Sequence, residues 1–209
     1  RVLIVEDSEN DAELLLRELR RGGYEPVSER CDRPEALGAA LQSEPWDLAI
    51  IDYRMPQFSG MAALKLVQEN GVDLPCLLVS GTAGEGLVVD AMKAGAADYI
   101  MKDKLSRLIP SVRRALDEAA MRRGRQQAEE ALEVSETRYR RLFETAQDGI
   151  FLLDATTGQI TDANPFLVRL LGYSKGEFLG KKLWEVGPFK DIEACQTAFK
   201  ELQTKDYIR

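Results

Sequence analysis

The sequence predicts an α/β fold: a doubly wound, five-stranded parallel sheet, followed by a long helical linker and the first part of a smaller α+β unit. Three observations carry this. Short apolar runs, Val2-Leu3-Ile4-Val5 and Leu48-Ala49-Ile50-Ile51 among them, read as strands buried on both faces. Helical periodicity fills the stretches between such runs, with short connections. Past about residue 105 this alternation stops, giving way to an almost wholly helical pattern and, after Asp148, to a hairpin.

In order, strands are expected at Val2 to Val5, Pro26 to Cys31, Leu48 to Asp52, Leu74 to Ser80 and Asp98 to Met101. Helices are expected at Asn10 to Arg21, Arg33 to Glu44, Met61 to Asn70 and Glu85 to Ala94. Punctuation agrees: Gly22-Gly23, Gly71 and Gly95 follow helices, Pro45 precedes the third strand, and Ser59-Gly60 precedes Met61. Pro110 belongs in the first turn of the next helix, where its missing N–H costs nothing. Beyond it, Val112, Leu116 and Ala119 or Ala120 form one apolar stripe, and Leu132, Ser135, Tyr139, Leu142 and Ala146 form a second. The stripes are out of phase across Arg122 to Gln127, where Gly124 lowers helix propensity, so a coiled-coil stutter or a break would each fit. A parallel dimeric connector is the expected use of a helix with two stripes, a solvated helix the plainer alternative.

After Asp148, Gly149 to Asp154 and Ile160 to Asn164 flank a turn at Thr156-Thr157-Gly158-Gln159, which reads as a hairpin. Asn164-Pro165 reads as a helix cap with Pro in the first turn, leading to Leu171 and stopping at Gly172-Tyr173. Ser174 opens a further short turn. Trp184 and Pro188-Phe189 precede a last amphipathic stretch through Ile192, Cys195, Phe199 and Leu202.

Composition narrows the functional classes. At 209 residues and 44% hydrophobic, the chain holds one full domain and part or all of another. A net charge of -7 and a pI near 4.9 argue against a nucleic-acid surface, which needs clustered Lys and Arg. Three distant cysteines, Cys31, Cys76 and Cys195, suit reduced structural thiols in a cytoplasmic setting. No apolar stretch approaches the roughly 20 residues that span a bilayer, and no signal-peptide pattern opens the chain. Arg1 in the place of Met suggests that a start or tag has been lost. With no histidine in the chain, histidine-ligated haem is excluded within it, and no cysteine sits in a flavin-photosensor motif.

The chemistry lies at the strand ends. One apolar run ends in Glu6-Asp7 and another in Asp52, and in an open parallel sheet ligands bind beyond the carboxyl ends of the strands. Carboxylates from neighbouring strands would meet there on one cation. Ser80 and Lys102 end two further strands and add a hydroxyl and an ammonium to the same rim. An acidic pocket, a hydroxyl and a cation suit phosphoryl chemistry.

These residues carry a family resemblance. Glu6-Asp7, Asp52 within Asp52-Tyr53-Arg54-Met55-Pro56, Ser80-Gly81-Thr82, Tyr99 and Lys102 make residues 1–121 similar to the receiver domain of bacterial response regulators, with its flavodoxin-like sheet. Tyr139-Arg140-Arg141-Leu142-Phe143-Glu144, Asp148-Gly149-Ile150, Asp162-Ala163-Asn164 and Leu171-Gly172-Tyr173-Ser174 make residues 146–209, with the helix before them, resemble the N-terminal part of a PAS sensor domain. Residues 122–145 would be the linker.

The receiver resemblance implies two-component signalling. Asp52 takes a phosphoryl group from a phosphohistidine on a partner histidine kinase or phosphotransfer protein. Mg²⁺ is held by Asp7, Asp52 and the Arg54 backbone carbonyl, with Glu6 acting through water. Lys102 supplies charge opposite the metal, and Ser80 Oγ with the Gly81 N–H binds phosphoryl oxygens. Ser80 and Tyr99 are the switch pair: Ser80 moves inward and opens space for Tyr99 to rotate toward the interior. The output is expected beyond Arg209, the receiver itself catalysing only its own phosphorylation and dephosphorylation, and no PAS ligand is assignable. A homodimer through linker and PAS, no membrane contact and no nucleic-acid contact in this segment complete the expectation.

Departures accompany the match. Asp103 follows Lys102 where receivers commonly have proline, so proline chemistry supplies no cis peptide there. Arg54 and Thr82 occupy the variable flanks expected to tune water attack on the acyl phosphate. Two alternatives stand beside the signalling reading. A Mg²⁺-dependent aspartyl phosphohydrolase would want a second acid where Arg54 stands, and an interaction scaffold would keep the fold without the chemistry.

Overall fold

The computed structural model describes residues 1–82, 85–186 and 192–205, and the chain divides into two compact units, Arg1–Gln127 and Ala128–Arg209. Pro188-Phe189 and the side chains of Cys195 and Leu202 lie outside the described residues.

In the first unit, β1 (Val2–Val5), β2 (Ser28–Cys31), β3 (Leu48–Asp52), β4 (Cys76–Ser80) and β5 (Asp98–Met101) form one parallel sheet in the order β2-β1-β3-β4-β5. Alternation within each strand divides the core in two. Leu3, Val5, Ala49, Ile51 and Leu78 face α2 (Pro34–Ser43), α3 (Gly60–Glu69) and α4 (Glu85–Lys93), with Leu37, Leu64 and Val67 filling the layer. Val2, Ile4, Ile50, Leu77 and Ile100 face α1 (Glu9–Arg21) and the start of α5 (Leu108–Thr145), against Leu15, Leu19 and Val112. Strands β1 to β4 read as continuous apolar runs because both faces are covered, save β2. That strand lies at the sheet edge with Ser28, Glu29 and Arg30 exposed, and it starts two residues later than Pro26.

The order of strands reverses between β1 and β3, and the connections after both strands open at this point. Ser8 caps α1 by accepting from the Asp11 N–H, and Ser59 caps α3 by accepting from the Ala62 N–H. Gly60 admits the close approach of α3 to β3: a Cβ there would stand 2.7 Å from Tyr53 Cα, and its N–H donates to the Tyr53 carbonyl at 3.1 Å. Cys31 and Cys76 are buried free thiols, and burial pushes them up to about 11 and about 12, in keeping with a structural role.

Helix α5 runs without interruption through Gly124, so the break considered from its stripes does not occur. Leu108, Val112, Ala115 and Ala119 are its buried apolar residues in the first unit. In the second unit, Leu132, Val134 and Leu142 of the same helix are exposed by 69%, 60% and 66%, while Phe143 is buried and stacks on Tyr139.

The second unit also contains an antiparallel hairpin, β6 (Phe151–Leu153) with β7 (Ile160–Ala163), then α6 (Pro165–Leu171), α7 (Lys175–Phe178) and α8 (Ile192–Lys205). Asn164 organises it from a fully buried position. Its Oδ1 accepts from the N–H groups of Ile150 and Leu167, and its Nδ2 donates to the Asp148 carbonyl. Helix α6 ends at Gly172 in the left-handed region (φ 72°), and Ser174 with Glu177 forms a capping box on α7. Among the described residues, no helix is long and apolar enough to cross a membrane.

Candidate functional site

Strand ends β1 and β3 deliver three carboxylates to one place. Glu6, Asp7 and Asp52 each offer an oxygen, and these oxygens lie within 4.8 Å of one another, the metal-capable group among the described residues. Glu6 and Asp52 are buried, whereas Asp7 is exposed. Such a set of hard oxygen donors fits a small divalent cation.

The two buried carboxylates are satisfied differently. Glu6 Oε1 accepts from the Ser8 N–H at 3.1 Å and Oε2 from Lys102 Nζ at 2.9 Å, so neither oxygen is spare. Asp52 accepts from the Arg54 N–H, yet its Oδ1 is buried with no hydrogen-bond partner. Lys102 Nζ forms an ion pair with that oxygen at 3.3 Å, at the edge of hydrogen-bond geometry. Burial raises both carboxyls above their usual range, partly offset by Lys102, with Asp52 raising Glu6 and Asp7 raising Asp52. A buried carboxylate oxygen short of a hydrogen bond costs on the order of 1–3 kcal/mol, and a further cation or a covalent partner would lower that cost.

Lys102 follows β5 directly and opens a 3₁₀ turn over Lys102–Arg107, and its peptide to Asp103 is trans, as are all the described peptides. Nζ also donates to Asp11 Oδ2 at 2.5 Å. Burial alone would lower this ammonium, but the bonds to Asp11 and Glu6 and the charges of Glu6 and Asp52 outweigh it and raise it. Arg30, on edge strand β2, donates to the backbone carbonyls of Glu6 at 2.9 Å and Asp7 at 3.4 Å, holding the loop that carries both acids.

Ser80 is fully buried at the end of β4, and its Oγ is occupied within its own loop. It bonds the Thr82 carbonyl at 3.3 Å and accepts from the Thr82 N–H at 3.2 Å. Gly81 beside it is exposed, with open space where a Cβ would stand. Tyr99, expected to rotate toward the interior as Ser80 moves, lies inside here with Ser80 in its local bonds. Its ring is already buried, 6.1 Å edge-on from Tyr53, and its hydroxyl donates to the Thr82 carbonyl at 3.1 Å. The aromatic pair fills the space beside β4 while Ser80 keeps its local bonds.

Thus Glu6, Asp7, Asp52 and Lys102 converge, Arg54 joins them through its backbone, and Ser80 and Tyr99 share the Thr82 carbonyl next to them. Asp11 and Arg30 were not foreseen. An acid in the first turn of a helix is ordinary dipole chemistry, although Asp11 lies one helical turn beyond Asp7, which was the signal available.

Comparison with known proteins bears on the two units as folds. Bacillus subtilis chemotaxis protein CheY is 28% identical over 118 residues, 56% of this chain and 98% of that protein. The response regulator protein FleR of Pseudomonas aeruginosa is 37% identical over 102 residues, 49% of this chain but 21% of its own length. The sensor histidine kinase TmoS of Ectopseudomonas mendocina is 28% identical across 90% of this chain, which spans 22% of it. Among solved structures, the receiver domain of NtrX from Brucella abortus superposes with a TM-score of 0.51 at 27% identity, over 56% of this chain and 98% of that one. A PAS domain family matches residues 137–206. The response regulator receiver domain family matches residues 2–113, more than half of the chain, and the protein belongs to that family.

Proposed function

We propose that the first unit is a phosphoacceptor in two-component signalling, with Asp52 the residue phosphorylated. The observation that carries this reading is the buried Asp52 Oδ1, ion-paired with Lys102 at 3.3 Å and set beside Glu6 and Asp7. An Asp52 oxygen forms a bond to phosphorus while the P–N bond of a partner's phosphohistidine breaks, and the electron pair stays on the ring nitrogen, which takes a proton. Asp7, Asp52 and the Arg54 carbonyl, with Glu6 through water, would hold Mg²⁺, which when bound would neutralise charge on the phosphoryl oxygens. Lys102 balances charge from the other side, and Ser80 Oγ and the Gly81 N–H receive phosphoryl oxygens once Ser80 leaves Thr82. That release frees the Thr82 carbonyl loop and, through it, Tyr99, so the surface of α4, β5 and α5 changes with the state of Asp52.

Similarity to the sensor histidine kinase TmoS across most of the chain supports a phosphorelay setting with a histidine kinase or phosphotransfer protein as donor. Residues 1–121 act as receiver, 122–145 as linker and 146–209 as PAS segment, in a cytoplasmic protein. Exposed Leu132, Val134 and Leu142 on α5 support pairing of two copies through the linker and PAS segment, by which the receiver reaches an output.

Incubation with Mg²⁺ and a small acyl phosphate tests the central point. One base-labile phosphoryl group per chain is expected, absent in Asp52→Asn. Sustained hydrolysis of phosphoesters would instead favour a phosphohydrolase, and no label would leave a scaffold.

A further inference from the structure

We infer that Asp11 is a positioning residue that draws Lys102 away from Asp52 and so sets how readily Asp52 takes a phosphoryl group, an inference that rests on the phosphoacceptor reading above. An ammonium has three N–H donors, and Lys102 spends one on Asp11 Oδ2 at 2.5 Å and one on Glu6 Oε2 at 2.9 Å. Its distance to Asp52 Oδ1 is 3.3 Å, and that oxygen receives no hydrogen bond. The lysine is therefore anchored beside Asp52 rather than on it.

Asp11 is well placed to act as an anchor. Its N–H donates to Ser8 Oγ at 3.3 Å in the capped first turn of α1, which fixes where its side chain begins. It does not belong to the three-carboxylate group that could hold a metal. Of the two anchors, Glu6 is also held by the Ser8 N–H and is 1% exposed, whereas Asp11 is 40% exposed and makes the shorter contact. A phosphoryl group arriving on Asp52 meets Lys102 with one N–H uncommitted but its ammonium held in place, and its charge shared, by Asp11 and Glu6. Removing the Asp11 carboxylate frees one donor and deletes one negative charge near the incoming anion, and both effects favour the occupied state.

The probe is beryllofluoride, a tetrahedral anion that binds a carboxylate oxygen as a phosphoryl group does, titrated into the full chain at saturating Mg²⁺ and followed by ¹⁹F resonance. Asp11→Asn is expected to bind it about tenfold more tightly than the unaltered protein. Asp11→Ala, lacking the same charge, should repeat the gain. Asp11→Glu, which restores a carboxylate, and Glu9→Gln, which removes an exposed charge from the same turn without touching Lys102, should stay within about twofold of it. A merely structural role for Asp11 predicts weaker binding in Asp11→Asn and Asp11→Ala. Unchanged or weaker binding in both, with the unaltered protein binding normally, overturns the anchor role alone. Absence of Asp52-dependent binding in the unaltered protein overturns the phosphoacceptor reading and the inference with it.

Discussion

Among the described residues, Lys102 is the cation that pairs with the side-chain carboxylates of Glu6, Asp11 and Asp52, and the local charge balance rests on it. Lys102→Met leaves three carboxylates facing one another, two of them buried. Labelling of Asp52 should slow by about a hundredfold, since a donor aimed at the reacting oxygens is gone. Stability at neutral pH should fall by roughly 1–3 kcal/mol in urea titrations, the ammonium being partly solvated. Unchanged labelling would remove Lys102 from the chemistry. Much at this scale was readable beforehand, because an acid or ammonium closing an apolar strand has only the sheet rim to occupy, as Asp52, Glu6 and Lys102 do. Asp11 and Arg30 were not readable, since each sits in a pattern that solvent alone explains: an acidic first turn, and a polar edge strand. Only the folded sheet brings β2 and α1 against the ends of β1 and β5.

At the scale of elements, the strands and helices of the first unit stand where periodicity and glycine punctuation put them, with ends shifted by one or two residues. The shift at β2 has a cause. Pro26 has no N–H to give, and Val27 contributes its carbonyl to Val2 while its side chain is 60% exposed. Continuity of α5 was beyond the reach of pattern reading, because a single glycine costs only about 1 kcal/mol, too little to end a helix that is supported on either side. Asn164 is the element-scale keystone of the second unit, linking β6, β7 and α6 through three hydrogen bonds. Asn164→Ala should cost about 2–4 kcal/mol, as a lost cap and two unpaired backbone groups combine. Trp184 fluorescence in a Trp46→Phe background would report it as an earlier unfolding of this unit. Asp52 labelling should be unaffected.

For the whole molecule, the exposed apolar side chains of α5 carry the proposal of a paired state. Leu132, Ser135, Tyr139 and Leu142 repeat at spacings of three and four, the seam of a two-stranded coil. Sedimentation equilibrium should find a dimer, and Leu132→Glu with Leu142→Glu should yield monomers that still label at Asp52. A double variant that remains dimeric would place the interface elsewhere. The buried Asp52 Oδ1 has a consequence at this scale as well. A buried carboxylate oxygen that has an ion-pair partner but no hydrogen bond is desolvated at a cost to the whole sheet, and Asp52→Asn removes that charge. The silent variant should therefore outlast its parent on heating, by about 1 kcal/mol in its first unit. If Asp52 is the phosphoacceptor proposed above, the oxygen that makes it reactive is also the one that limits how much heat the first unit withstands.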